Sequence, residues 1–318
     1  MDTLTYLLRV ILTIEIVIGA FGNTINVLIF TRKKLRHNSC TQYFLAGSIN
    51  NLLVVSFLFI YVLVTNGYEI PLFAHSSIFC KINCYLSYLI YNLSPYLLVL
   101  ASFDRFCCSS SLVVLRSLAD VHKARRYLWA MLVIFIIIFT PLPFFYDISS
   151  TDPPQCVSTN QKFNTIWSIF QLIFYALLPP VLMTIFGLLT LWNIRFQRQH
   201  IQPMIRSRQL HRRKDQQLRR RSDNAVLRML IFQICAYILC VTMLCVMVVM
   251  INTVSYPTPL MVTFVRIAML PFYLSHCTSF YIYTLSAKLY RKEFLAVVRK
   301  VVQRIQKVLR YIGSSCTS

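Results

Sequence analysis

An arginine at the end of a long apolar run is the residue of this chain best suited to act as a switchable charge. Arg105 follows Asp104 and precedes Phe106, 25 residues after Cys80. A guanidinium at the inner end of a membrane helix is costly unless it has a partner or a water-filled cavity. Asp104 offers a carboxylate beside it, and a charge-assisted hydrogen bond would hold the arginine in a resting state.

Catalytic signatures are missing from the sequence. It contains no His-Glu-x-x-His zinc motif and no Gly-x-Ser-x-Gly nucleophile motif. The His, Cys and acidic residues inside the apolar segments do not have the spacing of metal ligands. We therefore expect a protein that is not an enzyme and that holds no metal or cofactor.

Composition and apolar runs indicate a membrane protein built as one helical bundle. Of 318 residues, 57% are hydrophobic and 13% are charged, against roughly 25% charged in soluble proteins. A spanning helix needs about 20 mostly apolar residues, and a helix satisfies its own backbone hydrogen bonds in lipid. Seven segments qualify, at residues 5–30, 42–65, 79–106, 127–146, 165–194, 225–251 and 260–284. The prediction is an all-α bundle of seven transmembrane helices that forms a single domain, residues 1–318.

Basic residues are distributed unevenly between the two ends of these predicted helices. All but four of the 32 Lys and Arg residues fall in alternate connections or the tail, and the exceptions are Arg9, Lys81, Lys162 and Arg266. The positive-inside rule then puts the N-terminus outside the cell and the C-terminus in the cytoplasm. A basic cytoplasmic face attracts anionic lipids. We interpret the net charge of +22 in this way, and not as a nucleic-acid-binding surface.

The order and spacing of several motifs resemble those of rhodopsin-like (class A) G-protein-coupled receptors. The matching positions are Cys80, Asp104-Arg105-Phe106, Trp129, Cys156, and Tyr283 followed by Tyr290. The resemblance extends from Asn23 to Phe294, and a softer one is to invertebrate peptide receptors of the FMRFamide-receptor type. It implies a plasma-membrane receptor that passes the signal of an extracellular ligand, a peptide in the narrower resemblance, to a heterotrimeric G protein.

The resemblance also assigns roles to individual residues. Asp104, Arg105, Phe106 and Tyr283 would form the switch that couples to the G protein. The positions of the family's helix anchors are occupied by Asn23, Asn51, Ser94, Trp129 and Pro180. For Asn23 the alternative is a single satisfied polar residue without a functional role.

A disulfide between Cys80 and Cys156 is implied as well. Cys80 lies at the outer end of helix 3 and Cys156 lies in the second outer loop, where oxidising conditions permit the bond. Such a bridge would hold the loop over the mouth of the bundle. The alternative is two unpaired thiols, and Cys84 is the other cysteine near that space.

Some positions depart from the family pattern. Asn51 occupies the place of the aspartate that holds sodium, and Ser279-Phe280 occupies the place of the helix 7 Asn-Pro pair. A hard cation prefers charged oxygen ligands, so we expect sodium regulation to be lost. The segment from Leu230 to Met250 has neither Trp nor Pro, so the family's hinge in helix 6 is not identifiable.

The ligand pocket is expected in the outer half of the bundle. Ser87, Tyr88 and Tyr91 recur at helical spacing below Cys80, and with Tyr273 and His276 they could form an aromatic, hydrogen-bonding floor. Ser87 replaces the aspartate of amine receptors and Tyr273 replaces the lysine of opsins, which argues against amines and retinal. The alternative is that these residues only pack between helices.

Two charged residues lie inside the outer halves of predicted spans. A charge inside a span usually faces the bundle and has a partner. We expect Arg266 to face the outer vestibule as part of the ligand pocket and Glu15 to face helices 2 and 7. The alternative is that Glu15 and Arg266 form a structural ion pair with each other.

An amphipathic helix is predicted after the seventh span, at residues 287–311. Its apolar residues at roughly helical spacing are Leu289, Phe294, Val297, Val298, Val301 and Ile305, with Lys and Arg between them. A basic amphipathic helix lies in the membrane interface, and Cys316 could carry a palmitoyl chain.

The rival class is a seven-helix transporter or channel that does not couple to a G protein. Transporters often contain two related halves with broken helices, and this sequence shows no internal repeat. Guanine-nucleotide exchange on a G protein would distinguish the receptor from a protein that moves solute across liposomes.

Overall fold

Seven helices in the described part of the chain are long and apolar enough to cross a membrane. The computed structural model describes residues 3–68, 70, 76–149, 156–201, 210–254, 258–286 and 288–315. Helices 1 to 8 are Thr3–Phe30, Ser39–Gly67, Ser77–Ser109, Val121–Phe145, Gln161–Ile201, Leu210–Thr253, Pro259–Ser286 and Lys288–Ser315. Short helices Lys33–Arg36 and Val113–Leu118 lie in the first and second loops on the side of Arg105. This side is called inner, and the opposite side outer, after the predicted orientation. The predicted all-α, seven-helix bundle is confirmed.

Several of these helices are interrupted. Helix 2 is α-helical over Ser39–Leu53 and Ile60–Val62, with π-helical segments Val54–Phe59 and Leu63–Gly67. Helix 5 consists of Gln161–Gln171, a π-helical segment Leu172–Leu177, and Leu178–Ile201. Helix 7 consists of Pro259–Cys277 and Ser279–Ser286. Interruptions of this kind change which side chains face a neighbouring helix.

Helix 4 differs from its predicted limits of 127–146 at both ends. It begins at Val121 because the Asp120 carboxylate caps it, accepting hydrogen bonds from the first turn at 2.9 Å and 3.4 Å. The regular part ends at Phe139, since Pro141 cannot continue the backbone hydrogen bonding. A short turn, Leu142–Phe145, follows, and residue 146 begins a strand. Counting only apolar residues missed the basic first turns and the proline break.

The inner ends of helices 5 and 6 extend past the apolar runs. Helix 5 continues to Ile201, against a predicted end at 194, and helix 6 begins at Leu210, against a predicted start at 225. Helix 8 covers Lys288–Ser315, close to the predicted 287–311. Polar and basic residues can continue a helix beyond the hydrocarbon, so the apolar count gave the width of the membrane core and not the length of the helix.

The outer face carries a two-stranded hairpin after helix 4. Strand β1, Tyr146–Ile148, pairs antiparallel with β2, Cys156–Ser158, and Ile148 lies opposite Cys156. Asp147 lies 3.3 Å from Lys81 of helix 3. The Ser77 hydroxyl, the Ile148 amide and Lys81 together lower the pKa of Asp147. These contacts hold the hairpin against the outer end of helix 3.

The bundle buries one face of each helix and leaves the other apolar face exposed. Large side chains such as Phe57, Ile137 and Leu239 are 65%, 65% and 79% exposed. Soluble proteins rarely display so much continuous apolar surface, and lipid is the solvent that suits it. Inside, helix 1 approaches helix 7 closely at Gly19, where an added Cβ would lie 2.6 Å from the Cys277 sulfur.

Candidate functional site

The predicted switch arginine, Arg105, hydrogen-bonds to two side chains at the inner end of helix 3. Arg105 and Asp104 side chains are 5% and 2% exposed, and Arg105 Nη2 donates to Asp104 Oδ2 at 2.7 Å. The same nitrogen donates to Asn38 Oδ1 at 3.1 Å. Asn38 is also the N-cap of helix 2, where it accepts from the Cys40 amide at 3.0 Å. The buried charge is thus neutralised and tied to the first inner loop, a contact that the sequence did not suggest.

The other two predicted switch residues lie in separate aromatic groups. Phe106 stacks on Phe186 of helix 5, with ring centroids 6.1 Å apart. Tyr283 is 3% exposed and packs against Phe44 of helix 2 and Tyr290 of helix 8, at 5.1 Å and 5.9 Å. Both rings therefore connect the inner ends of neighbouring helices.

A chain of amide and hydroxyl groups joins helices 1, 7 and 8. Asn26 Nδ2 donates to Ser279 Oγ at 3.0 Å, and Ser279 Oγ donates to Asn23 Oδ1 at 3.2 Å. Asn23 Nδ2 donates to the His276 carbonyl at 3.1 Å, and the Tyr290 hydroxyl donates to Asn26 Oδ1. The expected anchor Asn23 is therefore bound across helices. Asn26 had not been identified, although a second mid-membrane Asn one turn from the first was the available signal.

A second polar group lies in the middle of the bundle, between helices 2, 3 and 7. Asn50 Nδ2 donates to Ser94 Oγ at 2.7 Å, and Ser94 Oγ donates to Asn51 Oδ1 at 2.8 Å. His276 Nδ1 lies 3.1 Å from the same Asn51 oxygen, so it carries the hydrogen of that bond, because an amide oxygen only accepts. These residues, apart from Asn50, border an inner cavity of about 30 Å³ whose described lining includes no carboxylate.

An outer cavity of about 170 Å³ opens between helices 3, 5, 6 and 7. Tyr88 and Tyr91, two of the predicted pocket residues, line it. The rest of the described lining is Asn92, Asn164, Ser168, Gln171, Leu172, Tyr175, Leu244, Cys245, Val248 and Phe272. The sequence reading missed the helix 5 contribution because no motif marks it.

The remaining predicted pocket residues do not line this cavity, and their role in ligand binding stays a prediction. Ser87 is half-buried and lies on helix 3 outside the lining. Tyr273 turns toward helix 2, with its ring 4.8 Å from that of Phe59. His276 is one turn too deep and lines the inner cavity instead. Arg266 is exposed and lies two turns before Tyr273, outside the described lining of the outer cavity.

Glu15 and Arg266 do not form the alternative structural ion pair. Glu15 is 4% exposed, and no ion pair in the described residues joins it to Arg266. Its carboxyl oxygen Oε2 has no hydrogen-bond partner there. The Cys277 thiol of helix 7 bonds to the Glu15 backbone carbonyl at 3.2 Å, so Glu15 is next to helix 7, as expected.

Two predicted anchors have different surroundings. Trp129 is 68% exposed, while Phe135 and Phe139 of the same helix are buried, and its role as a bundle anchor stays a prediction. Pro180 follows Pro179, and neither can donate to the π-helical turn before it. The carbonyls of that turn are satisfied instead by tyrosine hydroxyls: Tyr96 donates to Phe174 at 2.7 Å, and Tyr237 donates to Tyr175.

The cysteines and helix 8 complete the site. Cys80 and Cys156 form the expected disulfide, with Cα atoms 5.5 Å apart, while Cys84 is a buried free thiol.

On the inner face, Arg32 of the first loop contacts Glu293 of helix 8 at 3.0 Å. Cys316, the predicted lipidation site, lies outside the described residues.

Comparison with known families agrees with this geometry. Residues 22–287 match the family model of the 7 transmembrane receptor (rhodopsin family). No curated protein matches the chain. The family match covers most of the seven-helix bundle, and it includes the Asp104–Arg105 pair and both disulfide cysteines. The chain therefore belongs to the rhodopsin family of seven-transmembrane receptors, which are multi-pass signalling receptors of the plasma membrane and not enzymes.

Proposed function

We propose that this receptor binds a peptide at its outer cavity and activates a heterotrimeric G protein at its inner face through Arg105. The observation that carries the coupling role is the buried Arg105, held by a charged and a neutral acceptor at the cytoplasmic end of helix 3. Ligand and G protein would stabilise the same active state, so their binding is thermodynamically linked.

The pocket chemistry supports a peptide rather than an amine or a retinal. Ser87 and Tyr273 stand where an ammonium-binding Asp and a Schiff-base Lys would be needed. The outer cavity offers amide, hydroxyl and aromatic groups, which are the partners of a peptide's side chains and backbone. This agrees with the softer resemblance to invertebrate peptide receptors.

The orientation follows from charge. Basic residues are concentrated in the connections on the side of Arg105, and the disulfide lies on the opposite side. We infer that the N-terminus is extracellular, that the Arg105 end is cytoplasmic, and that its basic face and helix 8 contact anionic lipids. An N-terminal epitope tag should bind antibody on intact cells; a tag accessible only after permeabilisation would refute this orientation.

Coupling can be tested without knowing the ligand. Asp104→Asn is expected to raise basal nucleotide exchange on a purified G protein, and Arg105→Ala in that background should abolish the increase. Arg266→Ala is the matched control, since it removes an exposed arginine from the opposite end of the bundle. Exchange that persisted in the Asp104→Asn/Arg105→Ala variant at equal surface level would refute the switch role. A screen of secreted peptides against cells that express the receptor would then identify the ligand.

A further inference from the structure

The inner cavity contains two buried polar atoms that the described residues do not satisfy. Gln233 of helix 6 is 5% exposed, and its Oε1 has no hydrogen-bond partner among them. His276 of helix 7 is 3% exposed, and its Nε2 is without a partner in the same way. Both side chains line the cavity of about 30 Å³. An unsatisfied polar atom is costly inside a bundle, so the cavity favours a molecule that bonds to both.

The two atoms are both hydrogen-bond acceptors. His276 Nδ1 carries the hydrogen of its bond to Asn51 Oδ1 at 3.1 Å, so Nε2 of the neutral ring presents a lone pair. An amide oxygen such as Gln233 Oε1 only accepts. The serines of the described lining donate their hydroxyls to other acceptors at 2.7–3.2 Å: Ser48, Ser94, Ser275 and Ser279. The cavity therefore selects a molecule that brings two donors of its own.

Size and charge restrict that molecule to water. A buried water needs a free volume of at least about 10–15 Å³, so the cavity has room for one or two. No Asp, Glu, Lys or Arg is among its described lining residues, so an ammonium or a metal ion would be buried without a counter-charge. Water is neutral, fits the volume and carries two O–H donors.

We infer that one water molecule in the inner cavity donates to Gln233 Oε1 and to His276 Nε2, and that it restrains helix 6 by tying it to helix 7. Tyr237, one turn from Gln233, bonds helix 6 directly to the Tyr175 carbonyl of helix 5. In the described part of helix 6, no side chain hydrogen-bonds directly to helix 7. The water supplies this link, and it does so in the state in which Arg105 is bonded to Asp104.

A density map of the full-length wild-type receptor in nanodiscs, at a resolution that shows ordered water, tests the site. We expect a peak within about 2.7–3.2 Å of both Gln233 Oε1 and His276 Nε2. In Gln233→Met, which keeps a side chain of similar length, the peak should be lost while His276 remains bonded to Asn51. A direct contact between Gln233 and His276, no peak between them, or a peak that persists in Gln233→Met would overturn the inference.

A double-variant cycle tests the restraint, and this half of the inference rests on the proposed function because its readout is basal nucleotide exchange. Gln233→Met removes one acceptor. His276→Asn removes the other, while its amide nitrogen can take the position of Nδ1 and retain the bond to Asn51. Each variant should raise exchange by about 5-fold, for one lost neutral hydrogen bond. The double variant should also reach about 5-fold, because both changes remove the same bridge.

Independent contributions would instead multiply to about 25-fold, and that result would overturn the restraint, as would wild-type exchange in Gln233→Met. Thr242→Val is the matched control, because Thr242 lies on helix 6 outside the described lining and bonds to its own helix at 2.9 Å. Exchange should stay at the wild-type level in this control, and an increase equal to that of Gln233→Met would overturn the role of the bridge. Equal surface levels verify folding, and the wild-type density map stands without any variant.

The result is separable from the test of coupling. Asp104→Asn should raise nucleotide exchange whether or not the inner cavity holds the bridging water. A missing water together with raised exchange in Asp104→Asn overturns the bridge alone, whereas an ordered water without any exchange overturns the proposed G-protein role and leaves the water site in place.

Discussion

Releasing Arg105 from its partners is expected to raise ligand-independent signalling. In Asp104→Asn, the carboxylate that accepts from Arg105 at 2.7 Å becomes an amide of the same shape. The guanidinium keeps an oxygen to bond to but loses its buried counter-charge. If this ion pair exists only in the resting state, its loss shifts the equilibrium toward the state in which Arg105 turns to the G protein.

The size of the effect follows from the bond that is weakened. Hydrogen bonds to charged groups contribute about 1.5–3 kcal/mol and neutral ones about 1 kcal/mol, so the amide should cost the resting state about 0.5–2 kcal/mol. Because every 1.4 kcal/mol is tenfold, basal nucleotide exchange should rise by about 2- to 30-fold. The longer bond to Asn38, at 3.1 Å, is expected to contribute less, about 5-fold when removed.

Asn38 allows a sharper version of the experiment because it has two roles. It caps helix 2 through the Cys40 amide and it accepts from Arg105, both through Oδ1. Asn38→Ser retains a good N-cap but is too short to reach the guanidinium, so it separates the restraint from helix stability. Asn38→Ala removes both, and the difference between the two variants measures the cap.

The assay is guanine-nucleotide exchange on a purified G protein by equal amounts of receptor in nanodiscs. We expect Asp104→Asn to exceed Asn38→Ser, and both to exceed wild type. The double variant should be no more active than the product of the two increases. Wild-type activity of Asp104→Asn at equal surface level would refute the idea that this ion pair restrains the receptor.

Three further outcomes are expected. Cys156→Ser should expose the Cys80 thiol to labelling and lower surface expression; mass mapping of the non-reduced receptor that joined Cys156 to any other cysteine would contradict the observed bridge. Agonist affinity should not change when sodium is exchanged for a bulky organic cation at constant ionic strength. The reason is that the Asn51 oxygen already accepts two hydrogen bonds and carries no charge. A loss of agonist affinity specific to sodium would refute the predicted loss of sodium regulation. Arg105→Lys should reach the surface but lose nucleotide exchange, because an ammonium cannot reproduce the planar hydrogen-bonding geometry of the guanidinium. Normal exchange in this variant would mean that Arg105 only anchors the helix end at the lipid headgroups, by snorkelling.

The fold was predictable because lipid leaves few alternatives. Seven apolar runs had to become helices, and the uneven distribution of basic residues predicts their orientation. The ends were less predictable, since helix limits depend on local chemistry that an apolar count ignores. Asp120 starts helix 4 in a basic segment, and Pro141 stops its regular part before the apolar run ends.

The site was predictable where one residue type was diagnostic and unpredictable where it depended on helix rotation. Tyr88 and Tyr91 follow from helical spacing on helix 3 and do line the outer cavity. Their helix 5 partner Gln171 belongs to a segment with π-helical geometry directly after it, and periodicity does not reveal such a change of register. Trp129 is 68% exposed although it occupies the place of the family's helix 4 tryptophan, because a motif match does not fix the rotation of a helix.

Departures from the family pattern are compensated in space rather than in sequence. Ser279 stands where the family has an Asn, and its short hydroxyl bonds to two Asn side chains of helix 1, Asn23 and Asn26. Asn26 also accepts from the Tyr290 hydroxyl of helix 8. Helix 1 thus provides the amide groups that helix 7 lacks, and the inner end of helix 7 remains fastened to its neighbours.

A short series of ring contacts and one hydrogen bond joins the two cavities. Tyr91 and Phe272 line the outer cavity, and their rings lie 5.6 Å and 5.5 Å from that of His276, which lines the inner cavity. His276 in turn bonds to Asn51, at the centre of the amide and hydroxyl group between helices 2, 3 and 7. A ligand that displaced either aromatic ring would have to move His276 or break its bond to Asn51, because the packed ring leaves no room for a gradual shift. His276, hydrogen-bonded to Asn51, therefore occupies the position between the outer cavity and the inner half of the bundle.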